Sequence, residues 1–311
     1  MKILVTGTTG FIGYSLVPAL VQAGHEVHQL VRYRAGRWDG YNPTNLHFAD
    51  LRDGEAVRTV VQEVKPEAVV HLAAVSAVSY SFSHEDEVLR VNYNGTRNLA
   101  QACAGLDHLK CFIHASTSEV YGDAKKFPIE EDTPLKGLSP YAASKIAAEE
   151  YLRTLRRISG FPLIILRPFN SYGRALVYNQ HFVVERAICG ALLERKISLH
   201  DARPLRDFMF RDDHVQGYVK AIEKMPVGET INLSTGGCWS IKEMAEKVAE
   251  LVGDVLVDFS HVPDRPLDIL TLRGDNTKAR QLLEWGPRFS FEKGLKQAIG
   301  EWRMKLALPP L

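Results

Sequence analysis

Tyr141 and Lys145 are the two residues whose types and spacing best suit acid–base chemistry in this chain. A phenol ordinarily ionises near pH ~10, so a tyrosine that removes a proton from a hydroxyl group at neutral pH needs a nearby cation. Residues i and i+4 lie on one face of a helix, and the Lys145 ammonium is therefore expected to lower the pKa of Tyr141. The same spacing also occurs in ordinary solvated pairs, so the elements around the pair have to support the interpretation.

The first of these elements is a glycine-rich turn between a buried strand at residues 2–6 and an amphipathic helix that ends near Gly24. A GxxGxxG spacing at this place is typical of a turn that binds the pyrophosphate of a dinucleotide. The alternative is a tight turn without a ligand. The residues predicted to contact the cofactor here are Gly7, Thr9, Gly10, Phe11, Ile12 and Gly13.

The second strand, residues 26–31, ends where the adenosine ribose of a dinucleotide would lie. A carboxylate there would favour NAD, but the sequence continues with Arg32-Tyr33-Arg34. Guanidinium groups suit a 2′-phosphate, so Arg32 and Arg34 predict NADP, with NAD as the less favoured cofactor. The alternative is that both arginines are solvated loop charges.

Alternating strands and helices continue through the first half of the chain. A short strand at 46–48 and a helix at 57–64 precede a fourth strand at 68–74, and a further strand follows at 163–167. This order predicts an α/β fold with a doubly wound parallel Rossmann sheet. Five residues near the strand ends are expected to contact the cofactor: Asp50, Leu51, Leu72, Ala73 and Ala74.

Two long amphipathic helices are predicted at residues 85–103 and 140–158, and they could pair with the same helices of a second subunit as a four-helix homodimer interface. Beyond Asn170 the alternation becomes irregular, although a helix is indicated at 241–252. We therefore expect a Rossmann domain at 1–170 and a smaller substrate-binding domain at 171–311, with segments that cross back to the sheet.

Composition narrows the class of protein. The 311 residues include 38 basic and 37 acidic side chains, a formal net charge of +1, which favours neither nucleic acid nor a membrane surface as partner. The four cysteines lack metal-ligand or disulfide-scaffold spacing, and we interpret them as buried thiols in a reducing compartment. The apolar run at residues 3–5 is too short for a signal peptide or a membrane span, so a cytoplasmic location is expected.

Four motifs in order resemble the extended short-chain dehydrogenase/reductase family, which modifies nucleotide sugars. The resemblance covers nearly the whole chain. The motifs are Gly7-Thr8-Thr9-Gly10-Phe11-Ile12-Gly13, Ser116-Thr117-Ser118-Glu119-Val120-Tyr121-Gly122, Ser139-Pro140-Tyr141-Ala142-Ala143-Ser144-Lys145 and Arg167-Pro168-Phe169-Asn170.

The resemblance implies a catalytic set of Thr117, Glu119, Tyr141 and Lys145. In the family, Thr117 would hydrogen-bond the C4 oxygen of the sugar, Tyr141 would remove its proton while hydride leaves C4, and Lys145 would also bind the nicotinamide ribose. Glu119 lies two residues after Thr117, and on a strand end the two would share a face, so Glu119 could remove a proton from C5. The alternative is a structural glutamate that caps a backbone amide.

The resemblance also implies a site for a nucleotide-diphosphate sugar. His181 and His214 are interpreted as polar packing residues, because the expected chemistry requires neither. Guanidinium forks suit phosphate oxygens, which agrees with three of the residues predicted to bind substrate. The full set is Ser76, Ser118, Asn170, Arg186, Arg206 and Arg265.

The expected reaction is that of a nucleotide-sugar 4,6-dehydratase, nearest in motif to GDP-mannose 4,6-dehydratase, because Thr117-Ser118-Glu119 occurs together with an arginine-rich cofactor loop. The chain departs from that branch in its shorter length, in Ala77 where a histidine is frequent, and in Arg174 where a proline is usual. A C4 epimerase, a C4-keto reductase and a glucuronate decarboxylase stay open as alternatives, as does a dinucleotide sensor without catalytic activity.

Overall fold

The computed structural model describes residues 1–32, 45–174, 182–260 and 268–308. Fourteen strands lie within these ranges. They are β1 (Lys2–Thr6), β2 (Glu26–Val31), β3 (Leu46–Phe48), β4 (Ala68–His71), β5 (Cys111–Ala115), β6 (Leu163–Pro168), β7 (Asn170–Tyr172), β8 (Lys196–Ser198), β9 (Leu205–Arg206), β10 (Phe208–Phe210), β11 (Thr230–Leu233), β12 (Trp239–Ser240), β13 (Leu256–Asp258) and β14 (Thr271–Leu272).

Eleven α-helices lie in the same ranges. They are α1 (Gly13–Gln22), α2 (Gly54–Val64), α3 (Val78–Ser81), α4 (Glu85–Leu89), α5 (Gly95–Cys103), α6 (Pro140–Ser159), α7 (Val183–Glu194), α8 (Arg211–Lys224), α9 (Ile241–Val252), α10 (Thr277–Leu283) and α11 (Phe291–Lys305). None of these described helices is long and apolar enough to cross a membrane.

Seven parallel strands form the central sheet in the order β11-β6-β5-β4-β1-β2-β3. Successive side chains of a strand point to opposite faces, and β1 shows why both faces are covered. Ile3 and Val5 belong to the apolar layer of α1 and α8, whereas Leu4 belongs to the layer of α2 and α5. The expected doubly wound parallel α/β fold is confirmed.

The chain after β6 builds a second group of elements. Strands β7 and β10 pair in parallel, and α7, α9 and α11 pack around a core that includes Tyr172 and Trp302. Strand β11 then pairs with β6 at the edge of the central sheet. The division into domains at 170/171 stays a prediction.

Several local expectations need correction. The fourth strand ends at His71 and not at Ala74, and the helix expected at 85–103 is interrupted by a π-helical turn at Arg90–Asn94. Three of the cysteines are buried free thiols as expected, but Cys238 is only half-buried. The helix at 241–252 is confirmed to the residue, because Ser240 and Glu243 form a reciprocal capping box at its start.

Candidate active site

The glycine turn places backbone where a ligand can approach it. Gly7 has a φ of +73°, and a Cβ there would lie 2.6 Å from the Ala73 backbone nitrogen, so the turn requires glycine. A Cβ at Gly10 would meet the Gly7 carbonyl oxygen at 3.1 Å and no other described atom within 4 Å. Helix α1 then begins without a side-chain cap, and its Tyr14 and Ser15 N–H groups donate to the carbonyl oxygens of Gly10 and Ile12 at 3.1 Å each. These features fit a pyrophosphate.

One cleft runs along the carboxyl ends of the central strands, as expected for a doubly wound sheet. It continues to the start of α7, where the Phe182 ring contacts the Phe11 ring of the glycine turn at 5.6 Å. The cleft is lined by these residues predicted from the sequence: Gly7, Thr9, Gly10, Phe11, Ile12, Gly13, Arg32, Asp50, Leu51, Leu72, Ala73, Ala74, Ser76, Thr117, Glu119, Tyr141, Lys145, Asn170, Arg186 and Arg206.

Three residues predicted for the site are not in this set. Ser118 is buried with 3% exposure and does not line the cleft. Arg34 and Arg265, which were predicted to bind cofactor and substrate, lie outside the described residues. His181 lies outside them as well.

Tyr141, Thr117 and Lys145 meet at the end of β5. The Thr117 hydroxyl forms a hydrogen bond with the Tyr141 side chain, which lowers the pKa of Tyr141, but burial raises that pKa by more. The Lys145 ammonium donates to the Ala115 carbonyl oxygen at 2.8 Å. Lys145, which was expected to lower the Tyr141 pKa, is not among the groups that shift it, and desolvation of the phenolate raises the pKa overall. Burial also lowers the pKa of Lys145 to about 8.

Glu119 reaches the cleft by a different route from the one expected. Thr117 has extended backbone and caps a 3-10 helix at Ser118–Tyr121, accepting a hydrogen bond from the Glu119 backbone N–H at 3.2 Å. The two side chains are thus not successive members of one strand face, and the strand-period argument is wrong. Both nevertheless line the cleft, and the Glu119 charge raises the pKa of Tyr141. A carboxylate, a hydroxyl and a phenol therefore face the same space.

Charged groups surround the end of the cleft that lies next to β2 and β3. Asp50 accepts hydrogen bonds from the Arg52 side chain, at 3.0 Å from Nε and 2.6 Å from Nη2, and from the Arg52 backbone N–H at 2.9 Å. This contact and the more distant Arg32 cation lower the pKa of Asp50. Arg32 itself is exposed and lines the cleft beside Asp50.

At the opposite end, Arg206 lines the cleft and forms an ion pair with Asp268 at 2.6 Å. The next residue, Asp207, is fully buried and accepts hydrogen bonds from the backbone N–H groups of Thr235 and Gly236 at 2.9 Å each. Burial raises the pKa of Asp207 to about 6 in spite of these bonds. The Arg206 guanidinium is thus held by Asp268, and the backbone that carries it is anchored through Asp207.

Sequence reasoning missed two cleft residues and underrated a third. The sequence predicts that His214 is a polar packing residue, but in the structure it lines the cleft. Its Nδ1 lies 2.7 Å from the Ser171 hydroxyl. Tyr218 follows one helical turn later, with its ring centroid 5.3 Å from that of His214. Glu185 is 1% exposed, and burial raises its pKa to about 8. An acid amid the apolar run of residues 182–189 was the available signal for Glu185.

Comparisons with known proteins identify the family of this chain. The family model described as GDP-mannose 4,6 dehydratase matches residues 4–298. The chain therefore belongs to the extended short-chain dehydrogenase/reductase family of nucleotide-sugar epimerases and dehydratases.

Relatives within this family carry different activities. A UDP-glucose 4-epimerase of Mycolicibacterium smegmatis is 33% identical over 98% of this chain and 99% of its own length. A dTDP-glucose 4,6-dehydratase of Haemophilus influenzae is 28% identical over 96% of this chain and 97% of its own. The solved UDP-glucose 4-epimerase of Thermus thermophilus, in complex with NAD, superposes with a TM-score of 0.88 at 29% identity and covers 97% of this chain and 99% of its own.

Proposed function

We propose that the protein is a nucleotide-sugar 4,6-dehydratase. The observation that carries this proposal is Glu119, a carboxylate that lines the same cleft as Thr117, Tyr141 and Lys145 and acts electrostatically on Tyr141. Elimination of water requires a base for C5 in addition to the base for the C4 hydroxyl, and the cleft contains both.

The cofactor in this proposal is a nicotinamide dinucleotide. The glycine turn would hold its pyrophosphate, Asp50 and Leu51 its adenine, and Lys145 its nicotinamide ribose. When bound, this cofactor would supply the hydride acceptor for C4 and the hydride donor for C6. We keep the preference for NADP because Arg32 directly follows β2 and lines the cleft, although the Thermus thermophilus relative was solved with NAD.

The chain's own residues would move two protons. The Tyr141 oxygen takes the proton of the C4 hydroxyl while Thr117 holds that oxygen, so that a C4 ketone forms. Glu119 then takes the proton from C5, which the ketone acidifies, and this proton passes to the C6 hydroxyl, which leaves as water. A proton from solvent replaces it at C5 when hydride is added at C6. Because burial raises the pKa of Tyr141, the phenol stays protonated until a ligand and Lys145 stabilise its anion.

The substrate class is a hexose linked to a nucleoside diphosphate. Arg186 and Arg206 line the cleft beyond Asn170, and their guanidinium groups suit the two phosphates. A GDP-mannose-like sugar was favoured from the cofactor loop, whereas the relatives are named for UDP- and dTDP-sugars. A direct screen of nucleotide sugars therefore has to identify the nucleobase of the substrate.

The test is turnover of GDP-mannose, UDP-glucose, dTDP-glucose and UDP-glucuronate in heavy water, followed by mass spectrometry. A dehydratase gives a 4-keto-6-deoxy product that has lost water and carries deuterium at C5. Glu119→Gln should retain C4 oxidation but reduce release of the dehydrated product by ~10²-fold or more, because an amide cannot accept the proton. Loss of carbon dioxide from UDP-glucuronate would instead identify a decarboxylase.

A C4 epimerase is the second candidate. It is favoured by the 33% sequence identity to the Mycolicibacterium smegmatis UDP-glucose 4-epimerase, which extends over 98% of this chain. An epimerase needs the C4 base but no C5 base. A product of unchanged mass, inverted at C4 and free of deuterium at C5, would establish this reaction and leave Glu119 as a structural acceptor.

We also propose a homodimer. Its interface would be formed by α6 and by α4 and α5, the two helices that flank the π-helical turn. Their outer surface carries Leu89 and Ile158, which are 48% and 76% exposed. Light scattering should give twice the chain mass of 34.8 kDa, and Ile158→Glu should shift it toward the monomer. The free cysteine thiols agree with our proposal of a cytoplasmic location.

A further inference from the structure

Helix α6 carries a third ionisable residue on the face of Tyr141 and Lys145. Glu149 lies one turn beyond Lys145, and at 1% exposure it is as buried as a core side chain. A buried carboxylate is costly unless hydrogen bonds and an opposite charge compensate it. None of the proton transfers proposed above uses Glu149, so its burial needs another explanation.

The end of β5 is bound to successive turns of α6. The Ala115 carbonyl oxygen accepts from Lys145 Nζ at 2.8 Å, and the next residue, Ser116, donates from Oγ to Glu149 Oε1 at 2.5 Å. The residue after that, Thr117, is bonded to Tyr141. Residues 115, 116 and 117 thus each bond to a different turn of α6. The bond between Ser116 and Glu149 is the one farthest along the helix, and it helps to fix the register in which the helix meets the strand end.

Glu149 is in turn held by Arg153 of α6, whose Nη2 donates to Oε2 at 3.1 Å, and by Arg167 of β6, which is 2% exposed. Arg167 donates from Nε to Glu149 Oε1 at 2.9 Å and from Nη2 to Oε2 at 2.6 Å, the bidentate geometry in which guanidinium and carboxylate match best. Its remaining nitrogen, Nη1, donates to the Tyr121 hydroxyl at 3.0 Å, and Tyr121 donates to Asn232 of β11 at 2.6 Å. The carboxylate is thus anchored to two further strands of the sheet.

We propose that Glu149 is the positioning residue of this active site: its carboxylate fixes Ser116, and through it Thr117, against Tyr141, and it supplies the negative charge beside Lys145. The inference rests on the proposed function insofar as Tyr141 and Lys145 are the reactive pair. It does not depend on which nucleotide sugar reacts or on the steps after C4 oxidation.

The charges that face Lys145 allow a specific test. Burial lowers the pKa of Lys145 to about 8, and Glu149 opposes that shift. His71 of β4 and His114 of β5 face the same region, but burial and the Lys145 charge lower the pKa of each, that of His71 to about 3. Both histidines are therefore neutral above pH 6, and between pH 6 and pH 9 removal of Glu149 should affect Lys145 without a contribution from them.

The first experiment titrates NADP and NAD binding by calorimetry between pH 6 and pH 9, and no sugar is needed. In Glu149→Gln the pH at which affinity is half lost should fall by ~1 unit or more, so that affinity falls about 3-fold at pH 7.5 and about 10-fold at pH 9, while affinity at pH 6 is nearly retained. Glu150→Gln is the matched control, because it removes the same charge from the exposed neighbouring position, where Glu150 pairs only with Arg157 among the ion pairs described. Its affinity profile should match wild type.

The second experiment separates register from charge. Ser116→Ala removes the contact with the strand end but keeps the ion pair of Glu149 and Arg167. Turnover of whichever sugar in the screen reacts should fall about 10-fold with an unshifted pH profile, whereas Glu149→Gln should shift the profile as well. If no sugar in the screen reacts, the proposed function fails but the cofactor titration still decides the role of Glu149.

Glu149→Gln leaves the buried Arg167 without its counter-charge, so its fold is checked by circular dichroism and thermal unfolding. If it does not fold, Glu149→Gln combined with Arg167→Met removes both charges and is titrated in the same way. Affinity that falls equally at every pH, in proportion to lost stability, would reduce Glu149 to an ordinary structural residue and overturn the proposal. Ser116→Ala with wild-type turnover would overturn the register role.

Discussion

The two walls of the cleft satisfy their buried polar groups in different ways. On the β5–α6 wall, Arg167 bonds to Glu149 and to Tyr121 at 2.6 to 3.0 Å, and of the charged or polar side chains there only His114 of β5 has ring nitrogens without a hydrogen-bond partner among the described residues. On the β7–α7 wall, Glu185 Oε2 and Asn170 Oδ1 are buried and have no hydrogen-bond partner in the described structure. His214 Nε2 on the neighbouring α8 shares this property.

Buried polar atoms in folded proteins are nearly always paired, and those left unpaired need an explanation. A wall whose groups already bond to each other holds its side chains in one geometry before any ligand arrives, as proton transfer requires. A wall with unpaired atoms gains those bonds when a ligand supplies them. We infer that the β5–α6 wall fixes the chemistry and that the opposite wall recognises the ligand.

The largest effect is expected from breaking the paired wall. Arg167→Met leaves the buried Glu149 carboxylate uncompensated and should lower the free energy of unfolding by about 3 to 5 kcal/mol, measured by urea denaturation. Arg157→Met, which removes an exposed partner of Glu150, should cost about 1 kcal/mol or less. Equal losses of unfolding free energy in the two variants would show that the buried network stabilises the fold no more than an exposed ion pair does.

Tyr141→Phe should abolish most activity without disturbing either wall. We expect turnover of the reactive sugar to fall by at least ~10²-fold, with cofactor affinity and unfolding free energy near wild type. Tyr151→Phe, on the same helix but in edge contact with Tyr93 and not in the cleft lining, is the control. Wild-type turnover in the Tyr141 variant would refute the catalytic role of the phenol.

On the unpaired wall, Glu185→Gln should change the pH dependence of stability. Burial raises the Glu185 pKa from 4.5 to about 8, so the folded state holds the proton more tightly and stability falls as pH rises through this window. Between pH 5 and pH 9 the wild type should therefore lose stability that the Gln variant, which cannot ionise, retains; urea denaturation at each pH measures the free energy of unfolding of both proteins. Parallel stability curves for the two proteins would mean that Glu185 ionises freely in the folded state.

The smallest effect is expected at the exposed adenosine end, away from both walls. Arg32→Ala should weaken NADP binding about 10-fold through loss of one charge-assisted contact, roughly 1.5 kcal/mol, and should leave NAD binding unchanged. Calorimetry measures both. Equal affinity of the wild type for the two cofactors would return Arg32 to the role of a solvated charge.

The sequence by itself determined the features that depend on neighbouring residues. The glycine turn, the i and i+4 placement of Tyr141 and Lys145, and the helix that Ser240 caps all follow from local steric and hydrogen-bonding rules, and all three are found in the structure. The parallel sheet followed as well, because alternating strands and helices admit few arrangements with right-handed crossovers.

Only the tertiary structure decided how far each ionisable group is removed from water. Desolvation depends on atoms distant in the chain, so it reversed the expected net pKa shift of Tyr141 and raised the pKa of Glu185. Likewise, the proposed role of Glu149 depends on its contacts with Ser116 and Arg167, which are 33 and 18 residues away in sequence. Both residues reach Glu149 because β5 and β6 are adjacent in the sheet. No spacing rule within one helix could have revealed that contact.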